Sequence, residues 1–151
     1  MSQTVLIIGG GAAGMLAALT ALEGPNNTVL LSERQARVGR KLLSTGNGRC
    51  NLSNRHAAPA HYHGRQPDFC RYALEQFSVA DTLAFFSDLG LETVTEPDGK
   101  IYPRSNTANS VLDVLRYALE HPRLHLLPGD GVADLRKKGS TFSVTFTSGE
   151  K

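Results

Sequence analysis

The sequence predicts an α/β chain: a parallel sheet interrupted by inserted helices and a hairpin, with an antiparallel meander at the carboxyl end. Three observations carry this expectation. The apolar run Val5-Leu-Ile-Ile8 ends in the pattern Gly9-x-Gly11-x-x-Gly14 and passes into Met15-Leu-Ala-Ala-Leu-Thr-Ala-Leu22, the order of a strand, a tight turn and a helix. A second apolar run, Thr28-Val-Leu-Leu-Ser-Glu33, follows the helix-stopping pair Gly24-Pro25. A third, Leu124-His-Leu-Leu127, is short and predicts a buried strand, the next of the parallel sheet. Strand, helix and strand within 33 residues imply a right-handed crossover, so the first two strands lie parallel.

Each glycine of the first turn has its own task. Gly9 permits the tight turn off the strand, Gly11 lets a diphosphate approach the backbone with no Cβ in the way, and Gly14 lets the helix lie close on the strand. The helix is expected over residues 12–23, and its start supplies unpaired N–H groups and the positive end of the helix dipole. Asn26-Asn27 turns the chain into the second strand. Glu33 ends that strand 22 residues after Gly11, the spacing of a carboxylate that hydrogen-bonds an adenosine ribose.

Periodicity then fails over residues 34–66, which predicts an ordered loop with one helical turn, and a loop this long in a small domain is a functional one. Residues 68–77 predict a helix with Cys70, Leu74 and Phe77 on one face. Ser78, with Asp81 three positions on, caps a second helix carrying Val79, Leu83, Phe86 and Leu89. Residues 91–94 and 100–102 form a hairpin around Pro97-Asp98-Gly99. A helix over residues 106–120 is apolar at Val111, Leu112, Leu115 and Leu119, and residues 132–137 and 141–147 alternate as antiparallel strands do. The chain stops at Ser148-Gly149-Glu150-Lys151 with no return strand, so it is expected to be a fragment, the amino-terminal part of a longer enzyme.

At 151 residues there is room for one domain with its own core. A net charge of +2 is too small to imply a polyanionic partner, although Arg34, Arg37, Arg40, Lys41, Arg49 and Arg55 share a stretch without Asp or Glu. No aromatic platform interleaves that stretch, so no nucleic-acid partner is expected. Two cysteines, Cys50 and Cys70, write no metal pattern or disulfide framework and point to a reducing, cytoplasmic setting. Residues 5–22 carry no charge, but no basic segment precedes them and four glycines interrupt them, so neither a signal peptide nor a membrane partner is expected.

Three segments carry a resemblance. Gly9-Gly-Gly-Ala-Ala-Gly14, Ser32-Glu-Arg34 and above all Gly39-Arg-Lys-Leu-Leu-Ser-Thr-Gly-Asn-Gly-Arg-Cys-Asn-Leu-Ser-Asn54 resemble the bacterial BaiN-like or aminoacetone-oxidase-like NAD(P)/FAD-dependent oxidoreductases. Gly99-Lys-Ile-Tyr-Pro-Arg-Ser105, with Ala108 and Val111, is similar to that family's second signature. The resemblance covers nearly the whole chain. It implies a Rossmann-like FAD/NAD(P)-binding domain split by an inserted substrate domain, of which residues 1–151 are the amino-terminal part. Parallel-sheet segments are then expected at about 1–35 and 106–151, with the cofactor loop and insertion at about 36–105.

By position, the resemblance implies that Gly9, Gly11, Ala12, Ala13 and Gly14 face the FAD pyrophosphate, Glu33 the adenosine ribose, and that Arg34 flanks the adenosine. An acid at residue 33 disfavours a 2'-phosphate, which leaves FAD or NAD in this site rather than NADP. Gly39, Arg40 and Lys41 would bring backbone N–H groups and cations to a second side of the pyrophosphate. Thr45, Gly46, Asn47, Gly48, Cys50 and Asn51 would supply donors to the flavin ring.

The implied activity is hydride transfer from NADH or NADPH through the flavin to a small-molecule acceptor such as an activated double bond; oxidation of a small amine by oxygen is the family's other activity. A non-catalytic FAD- or NAD-binding module is the competing class. Cys50 has no cysteine within four residues to resolve it, so a small buried thiol is expected rather than a redox pair. His56, His61 and His63 lie in a loop without a nearby acid or cysteine, so no metal is expected there. Tyr62 and Tyr102 are open between packing and proton donation. Catalytic residues and oligomeric state stay unassigned.

Overall fold

In the computed structural model, which describes residues 2–149, strand β1 (Gln3–Ile8) leads through the glycine turn into helix α1 (Ala12–Leu22) and back into strand β2 (Asn27–Glu33). β1 and β2 pair parallel from Gln3↔Asn27 to Ile8↔Ser32. Strand β6 (Leu124–Pro128) joins the other side of β2, also parallel, from Val29↔Leu124 to Glu33↔Pro128. These strands, in the order β1-β2-β6, are the frame of a unit made of Met1–Leu42 and Leu115–Lys151. Its core takes Met15, Ala18 and Leu22 from α1, at the i, i+3, i+7 spacing of one helical face, and Val29 and Leu31 from β2.

The helix has no side-chain cap at its amino end, and its two ends are treated differently. At the carboxyl end Arg123 supplies the missing donors. Its Nη2 donates to Leu22 O at 2.7 Å, and its Nη1 donates to Gly24 O at 2.6 Å and Asn27 O at 3.0 Å. A cation here also complements the negative end of the helix dipole. The amino end carries no acid in its first turn.

One expectation for this unit needs correction. The stretch 124–127 is not a buried strand: only Leu124 is buried, and Leu126 is 39% exposed, because β6 is the last strand of its sheet among the described residues. The antiparallel strands expected at the carboxyl end are present as a hairpin, β7 (Val132–Lys138) with β8 (Thr141–Phe146). Leu135 and Phe142 on it are exposed. The chain end at Glu150 and Lys151 lies outside the described residues.

The second unit, Leu43–Val114, has a small antiparallel sheet in the order β3-β5-β4, from β3 (Ser53–Asn54), β4 (Thr93–Thr95) and β5 (Lys100–Pro103). The expected hairpin is the β4–β5 pair, with Val94 opposite Tyr102 and Gly99 at φ +83 in its turn. Helix α2 (Arg71–Gln76) follows a tight 3-10 turn at Pro67–Cys70, so the helix expected from residue 68 is shorter, and Phe77 leaves it in extended backbone and is 45% exposed. Helix α3 (Val79–Asp88) carries the full capping box: Asp81 N–H donates to Ser78 Oγ, and Ser78 N–H donates to Asp81 Oδ2.

Helix α4 (Ala108–Ala118) straddles the division between the units, and Val111, Leu112, Leu115 and Leu119 are buried as the pattern predicts. It starts two residues later than expected because Asn106 is left-handed, at φ +58, and Thr107 Oγ1 accepts the Asn109 N–H. The long loop holds more order than one helical turn: a 3-10 segment from Arg40 that breaks at a kink over Thr45, Gly46 and Asn47, another at Pro59–His61, and β3, whose two residues are too few to show periodicity.

Candidate functional site

In the first unit a candidate site is built at the carboxyl ends of β1 and β2, where ligands bind in open parallel sheets. Gly9 turns the chain at φ +99 and donates its N–H to Ser32 O at 2.8 Å. A Cβ on Gly14 would lie 1.8 Å from Gly9 O, so only glycine lets α1 start this close to the strand. A Cβ on Gly11 would meet nothing within 4 Å, and Gly11, Ala12 and Ala13 are exposed. Their first-turn N–H groups have no intrahelical partner. An uncapped helix start with no acid and an open face at Gly11 fits a diphosphate.

Glu33 belongs to the same construction. Its Oε2 accepts the Gly10 N–H at 2.8 Å and its Oε1 accepts the Gln35 N–H at 2.7 Å. The carboxylate therefore stands against the glycine turn, with lone pairs remaining on both oxygens. Arg34 is exposed, its Cβ 3.0 Å from where a Cβ on Gly131 would be.

Gly39 needs a correction. At φ +75 and buried, it donates its N–H to Gly10 O at 2.7 Å, so this amide braces the turn and is not a donor for a ligand. Arg40 and Lys41 are exposed, and Arg40 Nη1 donates to Gln35 Oε1 at 2.8 Å.

Three residues of this region had no role assigned to them from the sequence. Gly10, the middle glycine, has no room for a Cβ, which would lie 2.5 Å from Val38 Cγ1 and 3.0 Å from Glu33 Cβ; the third consecutive glycine was its only signal. Ser32 is buried and donates through Oγ to Asp130 O at 2.6 Å. The Asp130 carboxylate accepts Thr147 Oγ1, the Ser148 N–H and Ser148 Oγ, each at 2.9 Å, and tethers the end of the β7–β8 hairpin. Its only signal was a position between Gly129 and Gly131.

Those hydrogen bonds, led by the Ser148 backbone N–H, hold the Asp130 carboxyl below the usual carboxylate range. A depressed folded pKa gives stability that is present above the unfolded value of about 4 and lost as pH falls through the folded one. Thermal melts of the parent and of Asp130→Asn should therefore differ above about pH 4 and draw together as pH falls further, through the depressed folded value. A difference that stays constant down to strongly acid pH rules the Asp130 contribution out.

The other unit carries a candidate turn of its own. Residues 45–51 form a turn of left-handed backbone, with φ of +54 at Gly46, +55 at Asn47, +80 at Gly48 and +58 at Cys50. Cys50 N–H donates to Thr45 O at 3.0 Å and Arg49 N–H to Gly46 O at 3.1 Å. Asn51 is exposed; with its amide oriented to satisfy its neighbours, the nitrogen donates to Ser53 O at 2.8 Å.

Cys50 is buried, and that burial pushes its thiol up, opposed in part by the hydrogen bond with Thr45; it is a neutral thiol at physiological pH. Cys70 is also free and buried, and donates to Pro67 O at 3.3 Å.

Tyr102 is buried beneath the Arg49 guanidinium, whose Cζ is 3.9 Å from the ring centroid, so the packing reading holds for this tyrosine. Tyr62 is exposed. His56 lines an open cleft of about 400 Å³ with Arg55, Thr95, Glu96, Pro97 and Gly99, and His61 and His63 are exposed. Among the described residues no group of three or more His, Cys, Asp or Glu could hold a metal ion, and no helix is long and apolar enough to cross a membrane.

Parallel strands, a glycine turn packed beneath an open helix start, and an acid at the end of β2 define a Rossmann-type domain. The chain belongs to the HI0933-like protein Rossmann domain family, which matches residues 3–151. The resemblance read in the Gly39 to Asn54 motif is thereby borne out. The chain is 41% identical to a 3-dehydro-bile acid delta(4,6)-reductase of Clostridium scindens over 91% of its own length and 34% of that protein's. It is 33% identical to a ribosomal RNA dihydrouridine synthase of Escherichia coli over 73% of its length and 27% of that protein's. The chain thus spans about a third or less of these relatives. A solved structure, that of the tetracycline destructase Tet(51), shares the fold with a TM-score of 0.51 at 16% identity, over 99% of this chain and 36% of that one.

Proposed function

We propose that the chain is the amino-terminal part of the dinucleotide-binding domain of an FAD-dependent oxidoreductase. The observation that carries this reading is the glycine turn: Gly14 jammed against Gly9 O, Gly11 open to approach, and the Glu33 carboxylate fixed beside Gly10. In this reading the amides of Gly11, Ala12, Ala13 and Gly14 bind the pyrophosphate, and Gly9 sets the turn that aims them. The free lone pairs of Glu33 accept the adenosine ribose hydroxyls, Arg34 flanks the adenosine, and Arg40 and Lys41 offset the diphosphate charge. The turn formed by Thr45, Gly46, Asn47, Gly48, Cys50 and Asn51 serves the flavin ring, with Cys50 a packed neutral thiol there and not a thiolate. When bound, the flavin supplies hydride transfer, which no side chain of this chain provides by itself.

The electron donor is NADH or NADPH, and the acceptor is a small molecule with an activated carbon–carbon double bond. Two relatives support that substrate class, since a delta(4,6)-reductase and a dihydrouridine synthase are both named for saturating such a bond. The second name also brings an RNA acceptor into view. Two measurements test the proposal. Titration of the protein with FAD should quench flavin fluorescence, whereas no binding removes the cofactor assignment. Anaerobic addition of NADH or NADPH to the FAD-loaded full-length protein should bleach the visible flavin band; a flavin that neither nicotinamide bleaches leaves a cofactor holder or an enzyme with another donor.

A further inference from the structure

Arg49 sits between Gly48 and Cys50 in the left-handed turn, and its side chain ties that turn to three other elements. The guanidinium pairs with Glu96, which follows β4, and donates through Nε to Asn106 Oδ1, which precedes α4. Its plane covers the ring of Tyr102 on β5. The same ring lies 3.4 Å from where a Cβ on Gly46 would be, so the turn rests on one buried tyrosine at both Gly46 and Arg49. Beyond the turn the chain stays on β5, where Leu52 N–H donates to Ile101 O at 2.8 Å and β3 pairs antiparallel.

Backbone strain gathers at the same place. Among the described residues the non-glycine positions at positive φ are Asn47, Cys50 and Asn106. Two of them flank Arg49 in the turn and the third accepts its hydrogen bond. Left-handed non-glycine backbone persists only where its surroundings hold it, and such strain collects at functional sites. The side chain able to hold it has to reach a carboxylate and an amide oxygen in two directions while lying flat on a ring. The planar guanidinium fork does all three; an ammonium does not.

We propose that Arg49 is a positioning residue for the cofactor loop: clamped by Glu96 and Asn106 on the Tyr102 ring, it holds residues 45–51 in the left-handed shape that receives the flavin. This rests on the assignment of that turn to FAD made above. Arg49 itself need not touch the cofactor, because its donors face Glu96 and Asn106. Its effect on binding is transmitted through the backbone of Gly46 to Cys50.

The test uses the full-length protein, with FAD titration, the visible circular dichroism of the bound flavin and the melting temperature of the apoprotein as readouts. Arg49→Lys should weaken FAD binding about tenfold, the equivalent of one charge-assisted hydrogen bond, and change the dichroism of the bound flavin. Asn106→Gly removes the acceptor while suiting the left-handed backbone better than asparagine does. Its melting temperature should hold or rise while FAD affinity falls, and the double variant should bind no worse than Arg49→Lys alone. Tyr102→Phe keeps the ring and should bind FAD as the parent does. Parent-like affinity and dichroism in both Arg49→Lys and Asn106→Gly would overturn the proposal, and so would a loss of affinity in Asn106→Gly that only tracks a loss of melting temperature. A parent protein that takes up no FAD overturns the function reading and this inference with it, which sets that failure apart from the others.

Discussion

Replacing Gly14 by alanine should cost this protein about 3 kcal/mol or more of stability, the upper end of what overpacking does in a core. The new Cβ would stand 1.8 Å from the carbonyl oxygen of Gly9, and the obstacle is backbone on both sides. No rotamer change relieves such a clash, so β1 and α1 have to separate and the burial of Met15 and Ala18 is lost with them. For a chain of this size the melting temperature should fall by roughly 6–12 °C. Gly11→Ala is the matching control. Its Cβ meets nothing within 4 Å and its φ of −75 suits any residue, so the melt should stay within about 2 °C of the parent while FAD binding weakens. A Gly14→Ala protein that melts with the parent refutes the packing; a Gly11→Ala protein that keeps full FAD affinity refutes the diphosphate cradle.

The second large effect is expected at Glu33. Its two oxygens each accept a backbone N–H, from Gly10 and from Gln35, and glutamine has only one oxygen to offer. In Glu33→Gln an amide NH2 must face one of those N–H groups, leaving a donor unpaired at a cost of about 1–3 kcal/mol. Urea unfolding should show this as a lower midpoint at unchanged slope. FAD affinity should fall as well, because a ribose hydroxyl then meets a neutral acceptor. An unchanged midpoint removes Glu33 from the turn, and an unchanged FAD affinity removes it from the adenosine site. Here the structure sharpens what spacing alone implied: the residue 22 positions after Gly11 belongs to the turn as much as to any ligand.

What was legible in the sequence is what is local or repeats at a short period. The β1–α1–β2 crossover, the Ser78–Asp81 capping box and the buried face of α4 each follow from residues within a few positions of one another. The third parallel strand, Leu124–Pro128, could be placed because an apolar run after a helix has few topological options. Its burial could not, because that depends on whether a further strand lies beside it.

The missed features are pairings between residues far apart in sequence. Gly39 donating to Gly10, Asp130 accepting from Ser32 and from the end of the hairpin, and Arg123 donating to the end of α1 leave no periodic trace. For the candidate site, motif spacing located Gly9, Gly11, Gly14 and Glu33, but the role expected of the Gly39 amide failed because its partner is 29 residues upstream. Arg49 escaped notice for a similar reason: in sequence it is one more cation in a basic run, and only the fold sets it against Glu96, Asn106 and Tyr102.

The reach of Arg123 to Leu22 joins residues 101 positions apart, and the β2–β6 pairing closes the same span. During synthesis β1, α1 and β2 emerge first, with the Leu22 carbonyl at the end of α1 still without Arg123 and one side of β2 open. Residues 43–114, a unit with its own core and sheet, lie wholly inside that interval. An insertion with its own sheet and short-range contacts is expected to form before the parallel sheet closes. Closing a long flexible span costs chain entropy, and an already folded insertion shortens the span. Refolding should then run in two stages, with local structure in the insertion preceding the step that brings Arg123 and β6 home.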